Sequence, residues 1–207
     1  MDFAGKLVCH SALIASLTLP ATALAETKPF LGFGLGGGSV ALEIEAEGPD
    51  GSFSDEDTES AGAVTLKGGV DRPSNRSYAT FKVLPYEDAV VSMLGISYDW
   101  KFHEGPWRPY LGLTAGLASL EWTEDLEVSD QFTAELDGET ARGFALGFQG
   151  GFLYEASDKL NFDLSVRTLG TSLETELEIQ QNGETTGSVT QKVTSMSSIT
   201  LGANFMF

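Results

Sequence analysis

Cysteine occurs once in the 207 residues, histidine twice, and lysine and arginine together only twelve times against thirty aspartates and glutamates. Each shortage excludes something. Cys9 lies in an amino-terminal segment that reads as removable, so disulfides and thiolate metal sites drop out of the expected mature chain. A net charge of −18 with no clustered basic residues argues against a nucleic-acid partner, since phosphate binding rests on grouped Lys and Arg. After Leu19 no apolar run approaches the roughly 20 residues of a spanning helix. Any crossing of a membrane must therefore use strands.

The amino terminus carries its own signal. Lys6 precedes an apolar run from Leu7 to Leu19, Pro20 interrupts it, and Ala23-Leu24-Ala25 supplies a small-x-small cleavage site. This is the pattern of a secretory signal peptide over residues 1–25. The remainder, 26–207, has the length of one domain.

Read for a period of two, that domain resolves into eight stretches: Phe30 to Ala46, Ala61 to Asp71, Ser77 to Leu84, Ala89 to Phe102, Arg108 to Thr123, Glu139 to Ala156, Leu160 to Ile179 and Thr186 to Phe207. Most reach the roughly 9 to 11 residues of a tilted spanning strand. The connections alternate. Arg72 to Arg76, His103 to Trp107 and Ser157 to Lys159 are tight turns. Between them fall two long acidic loops, near 47–60 and 124–138, and two short ones, near 85–88 and 181–185. Short inner turns, longer outer loops and an even strand count predict an all-β fold, an eight-stranded antiparallel up-and-down transmembrane barrel.

The faces separate accordingly. Leu94, Ile96, Tyr98, Trp100 and Phe102 oppose Met93, Gly95, Ser97, Asp99 and Lys101, while Phe144, Leu146 and Phe148 oppose Gly143, Ala145, Gly147 and Gln149. A face that is small, polar or charged is expected inside, unlike the apolar interior of a soluble lipocalin-like barrel. Tyr98, Trp100, Phe102, Trp107, Tyr110, Phe152, Tyr154, Phe162, Phe205 and Phe207 fall near the turn end and predict an aromatic girdle at that interface. In the first strand the apolar residues change parity across Gly36-Gly37-Gly38, from Leu31, Phe33 and Leu35 to Val40, Leu42 and Ile44. A glycine-centred bulge is expected to restore the register.

With its signal segment, eight strands, Gly-rich stretches such as Arg108-Pro109-Tyr110-Leu111-Gly112-Leu113 and Gly150-Gly151-Phe152-Leu153-Tyr154, and terminal Phe207, the chain resembles the small outer-membrane β-barrel families. These include the opacity-protein type and the transmembrane domain of outer membrane protein A. The resemblance implies a place in the outer membrane of a Gram-negative cell, contact with its lipid and lipopolysaccharide, and a barrel-assembly signal at Phe205 and Phe207 read by the assembly machinery. It names no ligand, because such families share hydrophobic patterns rather than catalytic signatures.

Catalysis at the cell-surface end would call for a base active near neutral pH, for which histidine is the usual choice. His10 leaves with the signal and His103 sits in a turn at the opposite end, so no enzyme is expected. Eight strands enclose a lumen that side chains just fill. Lys67, Lys82, Asp99, Lys101, Gln149, Asp163 and Arg167 are therefore read as an internal polar network rather than a channel lining. A narrow pore or lateral path for a small or apolar compound is the alternative.

The expected role is structural or surface contact through the acidic loops. No Lys or Arg falls between Val40 and Leu66 or between Arg108 and Arg142, and Glu174, Glu176, Glu178 and Glu184 add a third acidic stretch. No cofactor is called for, beyond weakly bound Ca²⁺ or Mg²⁺ at Asp50, Asp55, Glu56 and Asp57, where carboxylates offer hard oxygen ligands. The terminal pattern predicts that Phe207→Ala slows membrane insertion; unchanged abundance of the folded protein in pulse-labelled cells would count against it.

Overall fold

The fold is given by a computed structural model that describes residues 27–48, 51–86, 89–122, 126–129, 132–134, 140–181 and 184–207. The segment read as a signal peptide lies outside the described residues. Ten strands follow in order: β1 (Lys28–Gly48), β2 (Gly51–Asp71), β3 (Asn75–Pro85), β4 (Ala89–Lys101), β5 (Trp107–Trp122), β6 (Leu126–Ser129), β7 (Phe132–Ala134), β8 (Thr140–Ser157), β9 (Leu160–Gln181) and β10 (Glu184–Met206). Eight of them close a barrel in the order β1-β10-β9-β8-β5-β4-β3-β2, every neighbour antiparallel, while β6 and β7 pair only with each other. The seam runs from Phe30 opposite Met206 to Glu47 opposite Ser188.

Alternation explains why the sequence closes this way. On β4, Val91, Met93, Gly95, Ser97, Asp99 and Lys101 are buried while Leu94, Ile96, Tyr98 and Trp100 are exposed. On β8 Phe144, Leu146 and Phe148 are each at least 66% exposed. A continuous belt of exposed Leu, Ile, Val and Phe round a closed sheet is the inverse of a water-soluble surface. It is the lipid face of a transmembrane barrel. The turns are tight: Arg72 N–H donates to the Asn75 carbonyl at 2.8 Å, and Gly105 takes φ of +146°, a conformation that a side chain would strain.

The structure corrects four expectations. The acidic stretch 47–60 is not a loop: β1 runs to Gly48 and β2 restarts at Gly51, in unbroken register down to Lys28 opposite Asp71. The register between β1 and β2 shows no bulge at Gly36-Gly37-Gly38. The buried residues of β1, Phe30, Gly34, Val40 and Leu42, all share the even parity, so Val40 and Leu42 are simply interior residues. The shift lies instead in β10, between Val193 and Ser195, where the inward parity changes from Met196 and Ser198 to Val193 and Gln191. Tyr110 is not part of the girdle, being 2% exposed inside the barrel, whereas Tyr98, Trp100, Phe102, Trp107, Phe152, Tyr154, Phe162, Phe205 and Phe207 do lie outside.

The fourth correction concerns the interior, which is not uniformly polar. Toward the loop end Val40, Leu42, Leu84, Val91, Met93, Leu120, Trp122, Leu173, Val193 and Met196 form an apolar cluster. This upper layer keeps water from a path that the polar lower layer would otherwise hydrate. Leu146→Arg, on the lipid face of β8, is expected to destabilise the barrel by about 2–4 kcal/mol in denaturant titrations from lipid vesicles. A loss below about 1 kcal/mol, the value found near an interface, would contradict this placement.

Candidate functional sites in the lumen and on the outer wall

The lower lumen is organised by Arg76, the first inward position of β3. It is 1% exposed; its Nε donates to Asp99 and its Nη1 to Asp163 at 3.0 Å. Asp163 also accepts from Lys67 Nζ at 2.7 Å and from the Tyr110 hydroxyl at 2.9 Å. The guanidinium lies 4.3 Å from the Tyr110 ring centre and 5.1 Å from that of Tyr78, within cation–π range. Gln149 extends the web: its Nε2 donates to the Tyr78 hydroxyl at 2.6 Å and to Asp99, and its Oε1 accepts from Thr114 at 2.9 Å and Arg167 Nε at 2.8 Å.

Of the seven residues read as an internal network, Lys67, Asp99, Gln149, Asp163 and Arg167 thus join one web through Arg76. Lys101 stands apart, paired with Asp71 at 2.8 Å. Lys82 donates to the Ser198 hydroxyl and to no carboxylate among the described residues. Arg76, Tyr78 and Tyr110 escaped the sequence reading. Arg76 was counted into a turn; continuing the alternation of Tyr78, Thr80, Lys82 and Leu84 back by one step would have placed it inside.

The second site is on the outside. β3 and β4 are 11 and 13 residues long, whereas β9, β10, β1 and β2 are 22, 23, 21 and 21. β2 pairs with β3 only from Val64 to Asp71, and β9 with β8 only up to Thr171. One side of the barrel therefore rises as a four-stranded sheet, about 40 Å along β2 above the last β3 pairing at roughly 3.3 Å per residue. Across its outward face the register aligns Glu174, Lys192, Glu43 and Glu56 in one row. Lys192 also donates to Glu45 at 2.6 Å, and that acceptor raises the ammonium's pKa. Glu43 and Glu56 stand directly opposite each other, an arrangement that disfavours the pair.

The metal candidates are dispersed. Asp55, Glu56 and Asp57 are successive residues of β2, so the strand sends Glu56 to one face and the two aspartates to the other. Asp50 lies outside the described residues. Among the described residues no three His, Cys, Asp or Glu side chains converge as a metal site. At the base of the tall sheet Tyr86 packs against the apolar cluster, where burial and the nearby Glu59 carboxylate push its phenol up to about 12. His103 sits exposed in the turn before β5, at the opposite end from this wall.

This geometry, a closed eight-stranded antiparallel barrel with an apolar outer belt, is the fold of the small outer-membrane barrels. The chain is similar in structure to Neisserial surface protein A (TM-score 0.51, 17% identity, covering 84% of this chain and 97% of that one). Further similar structures are outer membrane protein H from P. aeruginosa (TM-score 0.49, 24% identity, 87% and 99% covered) and the outer membrane protease OmpT from Escherichia coli (TM-score 0.42, 9% identity, 92% and 99% covered). No family model matches the chain, and no curated protein matches it.

Removing the charge on which the lower lumen converges should be costly. Asp163→Asn leaves Lys67 and Arg76 with one carboxylate fewer between them, and a loss of about 3–5 kcal/mol is expected for breaking a buried pair from one side. The same denaturant titration measures it; a loss under about 1 kcal/mol, the value of an exposed pair, would show that the web is not desolvated.

Proposed function

We propose that this chain is an outer-membrane barrel of a Gram-negative cell whose role is surface contact, made by the acidic sheet that rises beside its lumen. The observation that carries this reading is the row Glu174, Lys192, Glu43, Glu56 on the outward face. Lys192 is the single cation of that row and already donates to Glu45, and Glu43 stands directly opposite Glu56, where like charges are unfavourable. A cationic partner would offset that repulsion. Divalent cations bridging to lipopolysaccharide phosphates, or a basic segment of another protein, have the required chemistry, because carboxylates are hard oxygen ligands and form charge-assisted hydrogen bonds.

The filled lumen favours this reading over transport. Arg76 and its partners occupy the lower half and the apolar cluster the upper half, consistent with an eight-stranded barrel acting as a solid pedestal.

The test uses purified protein in nanodiscs free of lipopolysaccharide, titrated with a lysine-rich peptide. Binding is expected to weaken at least tenfold in the variant carrying Glu43→Gln, Glu56→Gln and Glu174→Gln, and to fall between 50 and 200 mM salt as surface charge is screened. Equal affinity of the two proteins overturns the proposal. Cell fractionation checks the location: a soluble product whose gel mobility does not change on boiling in detergent would refute it.

A further inference from the structure

The charges buried inside the barrel do not balance. Among the described residues three carboxylates, Asp71, Asp99 and Asp163, face five cations, Lys67, Arg76, Lys82, Lys101 and Arg167, all less than 9% exposed. Lys101 is answered by Asp71, and Lys67 and Arg76 by Asp163 and Asp99. Lys82 and Arg167 enter no ion pair among the described residues. Lys82 donates to Ser198, Arg167 Nε donates to Gln149, and Arg167 Nη1 makes no hydrogen bond within the protein.

The fold brings these two cations together. Ser198, which accepts from Lys82, is the register partner of Arg167. Thr65 stands opposite Lys82 on β2 and Thr80 lies two residues along β3 on the same inward face. Both threonine hydroxyls are buried and have no hydrogen-bond partner among the described residues. Among the described residues, the layer at the upper edge of the web, beneath the apolar cluster, thus holds two cations and several hydroxyl groups but no carboxylate.

We propose that this layer is a binding site for a small inorganic anion, held between the Lys82 ammonium and the Arg167 guanidinium and bonded by the Thr65 and Thr80 hydroxyls. Buried cations without a counter-charge are strongly disfavoured, and an anion among converging donors removes that penalty. An eight-stranded lumen has room for side chains and at most one small ligand, so a small inorganic anion is the occupant tested. The site is independent of the acidic outer wall, which attracts ions of the opposite sign.

The detergent-folded protein should unfold at a higher temperature in sodium chloride or bromide than in sodium gluconate of equal ionic strength, with a rise that saturates as halide is added. Lys82→Met and Arg167→Met should each abolish the difference, while Lys192→Met, on the outer face, should keep it. Crystals of the unaltered protein grown in bromide should show an anomalous peak in contact with Lys82 and Arg167, a readout that stands even if a lumen variant fails to fold. The same unfolding temperature in halide and gluconate, a difference retained in both lumen variants, or no such peak would overturn the proposal.

Discussion

Closure of the ladder between β1 and β10 is the condition on which everything else in this molecule rests. Inside hydrocarbon an unpaired backbone N–H or C=O costs several kcal/mol, so a sheet can cross only if its first strand finds its last. Here Phe30 to Ala41 meet Met206 to Ser195 without interruption. Once the seam is made, each strand has one face toward lipid and one toward a lumen of fixed width. Leu, Ile and Phe then occupy the outside because no water reaches them there, and whatever points inward must fill a narrow space and satisfy itself.

The lumen meets that demand in two ways. Below, Arg76 gathers Asp99 and Asp163 and lies against Tyr78 and Tyr110, so that charge, hydrogen bonding and ring contact are met by one guanidinium. Above, Leu84, Val91, Met93 and Leu120 are purely apolar and need no hydrogen-bond partners. The register shift between Val193 and Ser195 serves the second solution. It turns Val193 inward beside Leu42 and Leu173, and the Thr171 hydroxyl donates to the Val193 carbonyl at the shift. The unbalanced cations, Lys82 and Arg167, fall where the two solutions meet.

Unequal strand lengths carry the structure beyond the membrane. β3 and β4 stop near the end of the barrel, while β9, β10, β1 and β2 continue as a sheet with one edge at β2 and another at β9. Edge strands invite pairing with other chains, and charge on an edge suppresses it. Asp55, Glu56, Asp57 and Glu59 on β2 have that effect while also supplying the acidic surface.

Much of the barrel was legible in the sequence because lipid and lumen impose opposite chemistries on alternate residues, and that alternation survives in one dimension. The eight barrel strands, the tight turns, the outer belt and the inward set of Lys67, Lys82, Asp99, Lys101, Gln149, Asp163 and Arg167 follow from it. Alternation is silent about height and about pairing. It could not show that Glu43 would stand opposite Glu56, nor that the acidic stretch would remain strand, since charged residues read as loop unless a neighbouring strand is known to hold them. Tyr110 was grouped with the girdle by its height alone, although its parity with Gly112 and Thr114, opposite to Leu111 and Leu113, sends it inside. The register shift was sought at Gly36-Gly37-Gly38, where the backbone is freest, but the barrel placed it on β10, where the seam had to bring Val193 into the apolar layer. The linear pattern determined which compartment each residue prefers; which charges meet inside was decided only when the strands closed, because partners such as Arg76 and Asp163 lie 87 positions apart and become neighbours only across the lumen.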